Sequence, residues 1–165
     1  MILPGFPVPL LKGPGFNYSG TFASDRDGWT QVSGGFAQTT TADAVRTSPG
    51  GCQMATASSG SVNGEGQYTI PAARAGGCHI DVSFWHRAVN SVGSGNNVVL
   101  RYRIAAGSWV TLASISSNAV TSWAQMSGGF DNPGNNDVTI SIVLSGPASV
   151  DARFIDDWSI VGTPL

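Results

Sequence analysis

The sequence is poor in ions: 11% of its 165 residues are charged, with one lysine, Lys12, and one glutamate, Glu65. With a formal net charge of -2 there is no basic field to hold a phosphate backbone, which argues against nucleic acid as a partner. No apolar run approaches the roughly 18 residues of a membrane-spanning helix. The only two histidines, His79 and His86, differ by an odd number on one alternating segment, so they point to opposite faces and cannot share a metal. Neither stands beside an evident nucleophile. Glu65 lies in a glycine-rich stretch read as a turn, and a carboxylate pair for glycoside hydrolysis would have to be assembled from scattered aspartates. The residues point to a binding or structural protein, not an enzyme.

Cysteine is also scarce. Cys52 and Cys78 each follow a Gly-Gly pair, and two readings stand open: a bridge between neighbouring strands, or two buried free thiols.

What the chain has in quantity is glycine, serine and threonine around short apolar alternations. Residues 1–16 stand apart. Pro4, Pro7, Pro9 and Pro14 fix φ and remove donors, which predicts an extended arm. Ile2, Leu3, Phe6, Val8, Leu10, Leu11 and Phe16 make this arm too apolar for a solvated linker, so it is expected to dock in a groove, on its own domain or on a partner. The opening lacks a basic n-region and is broken by proline, which reads against a secretory signal.

From residue 17 to 165 the alternation is that of strands, with no sustained helical repeat. Strands are expected near 18–24, 29–37, 52–57, 66–70, 78–87, 97–104, 108–115, 121–126, 137–145 and 151–161, enough for two packed antiparallel sheets. The segments 78–87 and 97–104 read as a hairpin around a polar loop. Trp85, His79 and Asp81, joined by Arg101 and Arg103 across that hairpin, then form one outward face suited to a glycan: a ring to stack on a sugar and polar groups for its hydroxyls. The same residues suit a packed interface, with Asp81 pairing to Arg101 or Arg103 across strands. His86, on the apolar face, is expected to be a hydrogen-bonded core histidine. One internal echo, Trp29-Thr-Gln-Val-Ser-Gly-Gly-Phe36 and Trp123-Ala-Gln-Met-Ser-Gly-Gly-Phe130, suggests two strands in equivalent places.

Asn17-Tyr-Ser-Gly20, Gly28-Trp29, Ser83-Phe-Trp-His86, Val99-Leu-Arg-Tyr102, Gly107-Ser-Trp109 and Phe154-Ile-Asp-Asp-Trp-Ser-Ile-Val-Gly162 together resemble the galactose-binding-like jelly-roll superfamily. That superfamily includes carbohydrate-binding modules and MAM-type adhesion domains. The resemblance spans residues 17–162, and Ile155-Asp-Asp-Trp-Ser-Ile160 is its most specific piece. It implies an all-β jelly-roll sandwich and a habit of adhesion, without choosing a ligand. It also implies a structural Ca²⁺ as a candidate, for which Asp25, Asp27 and Asp156 supply hard oxygens. Asp25-Arg-Asp-Gly28 is not an EF-hand loop, since Phe36 stands where the bidentate glutamate belongs. The bland reading of these aspartates is a capped turn and a paired carboxylate.

Two expectations follow. The first is a virion decoration (capsid cement) protein, a homo-oligomer that docks on a major capsid protein or on neighbouring subunits through the arm. The alternative is a carbohydrate-binding module or viral adhesin at an extracellular surface, with a glycan as partner. No cofactor is called for beyond the candidate Ca²⁺.

Overall fold

The computed structural model describes residues 13–40, 42, 45–47, 49–55, 64–88, 97–116, 122–145 and 152–165. The arm residues Ile2, Leu3, Phe6, Val8, Leu10 and Leu11 lie outside that set.

Period-two alternation builds nearly everything. The strands are β1 (Phe16–Gly20), β2 (Thr30–Ser33), β3 (Gly35–Thr39), β4 (Gly51–Ala55), β5 (Gly64–Ile70), β6 (Cys78–Ala88), β7 (Asn97–Ile104), β8 (Val110–Ser116), β9 (Ala124–Asn132), β10 (Val138–Ser145) and β11 (Ala152–Pro164). A four-residue helix, α1 (Ala72–Ala75), follows Pro71 and is, among the described residues, the one element the alternation does not announce. In β6, Ile80, Val82, Phe84, His86 and Ala88 are buried, while the side chains between them face outward. In β10, Val138, Ile140, Ile142 and Leu144 are fully buried. Each such side chain stabilises the fold by roughly 1.5–3 kcal/mol relative to exposure.

Two antiparallel sheets face each other as a jelly-roll sandwich. The first runs β3-β4-β11-β6-β9, with β1 on β11; the second runs β2-β5-β10-β7-β8. β4 pairs with the first part of β11 and β1 with the later part, while β6 lines the opposite edge. Between these two parts β11 bulges: Asp156 is opposite Trp85 and Ser159 opposite Ser83, which leaves one extra residue. Asp157 absorbs the bulge at φ 45, a left-handed conformation that aspartate tolerates better than most residues. The bulge explains the Ile155-Asp-Asp-Trp-Ser-Ile160 pattern, because it turns Ile155, Trp158 and Ile160 all towards the core.

Three sequence expectations change here. β6 and β7 are not a hairpin, since β6 pairs with β11 and β9, and β7 with β10 and β8. The chain crosses from one sheet to the other between them. The Trp29/Trp123 echo is not an equivalence either. In the first copy Gly34, at φ 57, redirects the chain from β2 in the second sheet to β3 in the first, whereas the second copy is the unbroken strand β9. Finally, Phe16, the last apolar residue of the arm, is part of the sandwich and half-buried on its own domain. It opens β1 opposite Gly162, and the absent side chain there admits the Phe16 ring: a Cβ on Gly162 would lie 2.1 Å from it.

One end of the core is an aromatic cluster. Trp29, Tyr68 and Trp158 have centroids 5.2–5.8 Å apart, and Phe36 lies 5.9 Å from Trp29. Gly66 makes room for Phe36, whose ring would stand 2.3 Å from a Cβ at that position.

Candidate functional site

The outward face of the second sheet carries charge where it is least solvated. Glu65, Gln67 and Thr69 alternate with the inward Gly66, Tyr68 and Ile70, so the segment read as a turn is a strand. Register sets Gln67 beside Ser141, and Ser141 beside Arg101. Glu65 Oε1 accepts from Gln67 Nε2 at 2.8 Å, Ser141 Oγ at 2.7 Å and Arg101 Nη2 at 2.8 Å. Burial alone would raise the Glu65 pKa. The hydrogen bonds from Gln67, Ser141 and Arg101, with the Arg101 charge, outweigh it and hold the carboxyl below its ordinary value. Trp109, just before β8, is half-buried on this face, with the Arg101 guanidinium 4.3 Å and the Arg103 guanidinium 4.6 Å from its ring centroid. The result is an aromatic ring, two cations, one anion and neutral hydrogen-bonding groups on one surface.

The outward face of the first sheet is built differently. Ser19, Ser159, Ser83 and Ser127 stand in one row across β1, β11, β6 and β9. A trough of about 250 Å³ lies over Asp81, Ser83, Ser127, Gly129, Ser159 and Val161. At one end His79 Nδ1 is 2.5 Å from Asp131 and its Nε2 is 3.3 Å from Asp81. The hydrogen bond to Asp131 chiefly, and Asp81 after it, raise the His79 pKa. Trp85 lies further along β6, and Arg46 covers it at 3.8 Å while pairing with Asp157.

The predicted glycan face is therefore divided. Trp85, His79 and Asp81 lie outside the first sheet, and Arg101 and Arg103 outside the second, because their strands belong to different sheets. Asp81 pairs with His79 instead of either arginine.

The calcium candidates do not converge. Asp25 Oδ1 accepts the Asp27 N–H at 2.6 Å, an Asx turn, and Asp27 Oδ2 accepts the Phe22 N–H at 2.6 Å and Trp158 Nε1 at 3.3 Å. Asp156 accepts the N–H groups of Arg46, Thr47 and Asp157 at 2.8–2.9 Å. Among the described residues no group of three or more His, Cys, Asp or Glu side chains is arranged to hold a metal.

Cys52 and Cys78 are free and buried. Through Ile155, Cys52 is level with His86, at the other end of β6 from Cys78. That separates them by roughly 27 Å along the strands, whereas a bridge needs Cα atoms within about 7 Å. Burial pushes the Cys52 thiol pKa up. His86 is fully buried as expected, yet neither ring nitrogen has a hydrogen-bond partner among the described residues. Burial first, then the Arg153 charge, lower its pKa to about 4, so it is neutral.

Sequence reasoning missed Glu65, Gln67, Ser141, Trp109 and Arg46 as site residues. The alternation of Glu65 and Gln67 with Gly66 and Tyr68 was the available signal. Nothing local announces Trp109 or Arg46.

No protein-family model matches the chain, and no curated protein matches its sequence. Solved structures do match its fold. A family-61 carbohydrate-binding module in complex with β-1,4-galactotriose is 15% identical with a TM-score of 0.61, over 86% of this chain and 90% of that one. The xylan-binding CBM22-1 domain of Paenibacillus barcinonensis Xyn10C is 12% identical with a TM-score of 0.64, over 93% and 98%. The K3 cleaved adhesin domain of Lys-gingipain from Porphyromonas gingivalis is 10% identical with a TM-score of 0.65, over 89% and 98%. The chain shares the jelly-roll β-sandwich fold of these carbohydrate-binding and adhesin domains.

Proposed function

We propose that the protein is a non-catalytic glycan-binding module whose saccharide lies on the outward face of the second sheet, against Trp109. The observation that carries this reading is the grouping of a half-buried indole with Arg101, Arg103, Glu65 and Gln67 on one sheet face. Sugar rings present C–H faces that stack on indole and hydroxyls that need both donors and acceptors. This surface offers both. Fold neighbours that bind galactotriose or xylan support the class of ligand, and no particular sugar is carried over from them. Catalysis fits poorly. The one glutamate is held ionised by three donors, the opposite of what a general acid requires.

The first sheet's trough beside Trp85 is a second reading, favoured by its volume and its serine floor. The virion-decoration reading rests on the arm of residues 1–16, of which 1–12 lie outside the described residues, and the fold comparison supports its glycan-binding alternative instead. Glycan binding carries with it work at an extracellular or virion surface.

The test is a glycan array followed by titration of Trp109→Ala and Trp85→Ala variants. Retention of at least one glycan, lost in Trp109→Ala and kept in Trp85→Ala, is expected. Loss only in Trp85→Ala moves the site to the trough, and no retention at millimolar ligand removes the reading.

A further inference from the structure

Resting on the glycan-binding reading of the second sheet's face, we infer that the bound saccharide is acidic, carrying a carboxylate as a uronic acid does, and that Arg103 receives it. The argument is one of unequal pairing. Arg101 and Arg103 are two residues apart on β7 and point the same way, so their charges lie roughly 7 Å apart. Arg101 is neutralised by Glu65 at 2.8 Å. Gln67 and Ser141 donate to the same oxygen, and Arg103 is not among the donors to Glu65. Arg103 has no ion pair or hydrogen bond among the described residues, and its Nε is buried without a partner.

The next acid along this face is Asp137, two residues before the Thr139 that stands opposite Arg103. Asp137 Oδ1 is engaged by the Ala72 N–H at 2.7 Å. Of the two cations on this face Arg103 is the one with no ion-pair partner among the described residues, and it lies against Trp109. A buried guanidinium N–H left unbonded is costly, and the planar fork of arginine matches a carboxylate with two parallel hydrogen bonds. An anion here would also relieve the repulsion between the two arginines. A uronic acid joins the two halves of the surface: its ring stacks on the indole and its carboxylate reaches the free guanidinium.

The test titrates the whole chain with oligogalacturonate, oligoalginate and glucuronoxylan oligosaccharides, each beside its carboxyl-reduced neutral counterpart, and with a sulfated oligosaccharide. At least one acidic oligosaccharide should bind about tenfold or more tighter than its reduced form, with affinity falling as salt rises. Arg103→Gln should bring that ratio close to one without lowering the unfolding midpoint, and Arg103→Lys should restore part of it. Equal or tighter binding of the neutral forms, an unchanged ratio in Arg103→Gln, or preference for the sulfated sugar overturns the carboxylate assignment while glycan binding stands. Failure of every oligosaccharide, acidic or neutral, overturns both.

Discussion

Arg101 on β7 donates to Glu65 on β5 at 2.8 Å, reaching over the intervening strand β10, whose Ser141 hydroxyl donates to the same carboxylate oxygen at 2.7 Å. The pair ties three strands of the second sheet together on its outward side and fixes the arginine beside Trp109. Replacing Glu65 should therefore disturb both stability and the site.

Glu65→Gln is expected to lower unfolding free energy at neutral pH by about 1–3 kcal/mol, the worth of charge-assisted hydrogen bonds to a poorly solvated carboxylate. The folded-state pKa of Glu65 lies below its ordinary 4.5, so its contribution is present above that value and is lost as pH falls through the folded pKa. Urea unfolding at pH 7 and pH 3 checks this. The difference between wild type and Glu65→Gln should shrink in acid, and a constant difference would contradict the assignment.

His86 titrates with the same sign but from a different cause, burial of its ring. Its folded pKa of about 4 lies below the ordinary 6.5, so between those values the unfolded chain takes up a proton that the folded chain refuses. Stability is intact above about pH 6.5, falls by about 3 kcal/mol as pH drops to about 4, and levels off below. His86→Leu should flatten that part of the stability profile from urea unfolding between pH 7 and pH 4. An unchanged slope would mean that another group sets it.

Both thiols should be silent in the folded protein. Cys52 and Cys78 are fully buried and far apart, so neither should react with a thiol reagent until the chain unfolds, when both should. A reductant should leave the unfolding midpoint where it is. A midpoint that drops on reduction would show a bridge.

Much of this fold can be read from the residues, because a strand buried on one face advertises itself by alternation. Ile80, Val82 and Phe84 in β6 and Val98 and Leu100 in β7 show which side of each strand faces the core. Alternation says nothing about which sheet a strand joins. The polar connection after Ala88 reads like a hairpin loop, yet it carries the chain to the other sheet, and that placement separates Trp85 from Arg101 and Arg103. Glu65 was obscured by the glycines around it. Gly66 is there to admit the Phe36 ring, not to make a turn. Trp109 was obscured because its partners arrive through cross-strand register and not through sequence spacing. Likewise, the site's charge balance depends on Glu65 choosing Arg101 over Arg103, which only the three-dimensional pairing of β5, β10 and β7 decides.

The central claim is that saccharide lies on Trp109. The chain has five tryptophans, and each indole N–H gives its own signal in a heteronuclear NMR spectrum. Trp29 and Trp158 are buried in the core and serve as internal references. Titration with a retained oligosaccharide should move the Trp109 indole signal in proportion to occupancy, leaving Trp85 and the two core signals in place. Saturable binding that moves Trp85 and leaves Trp109 unmoved would contradict the account.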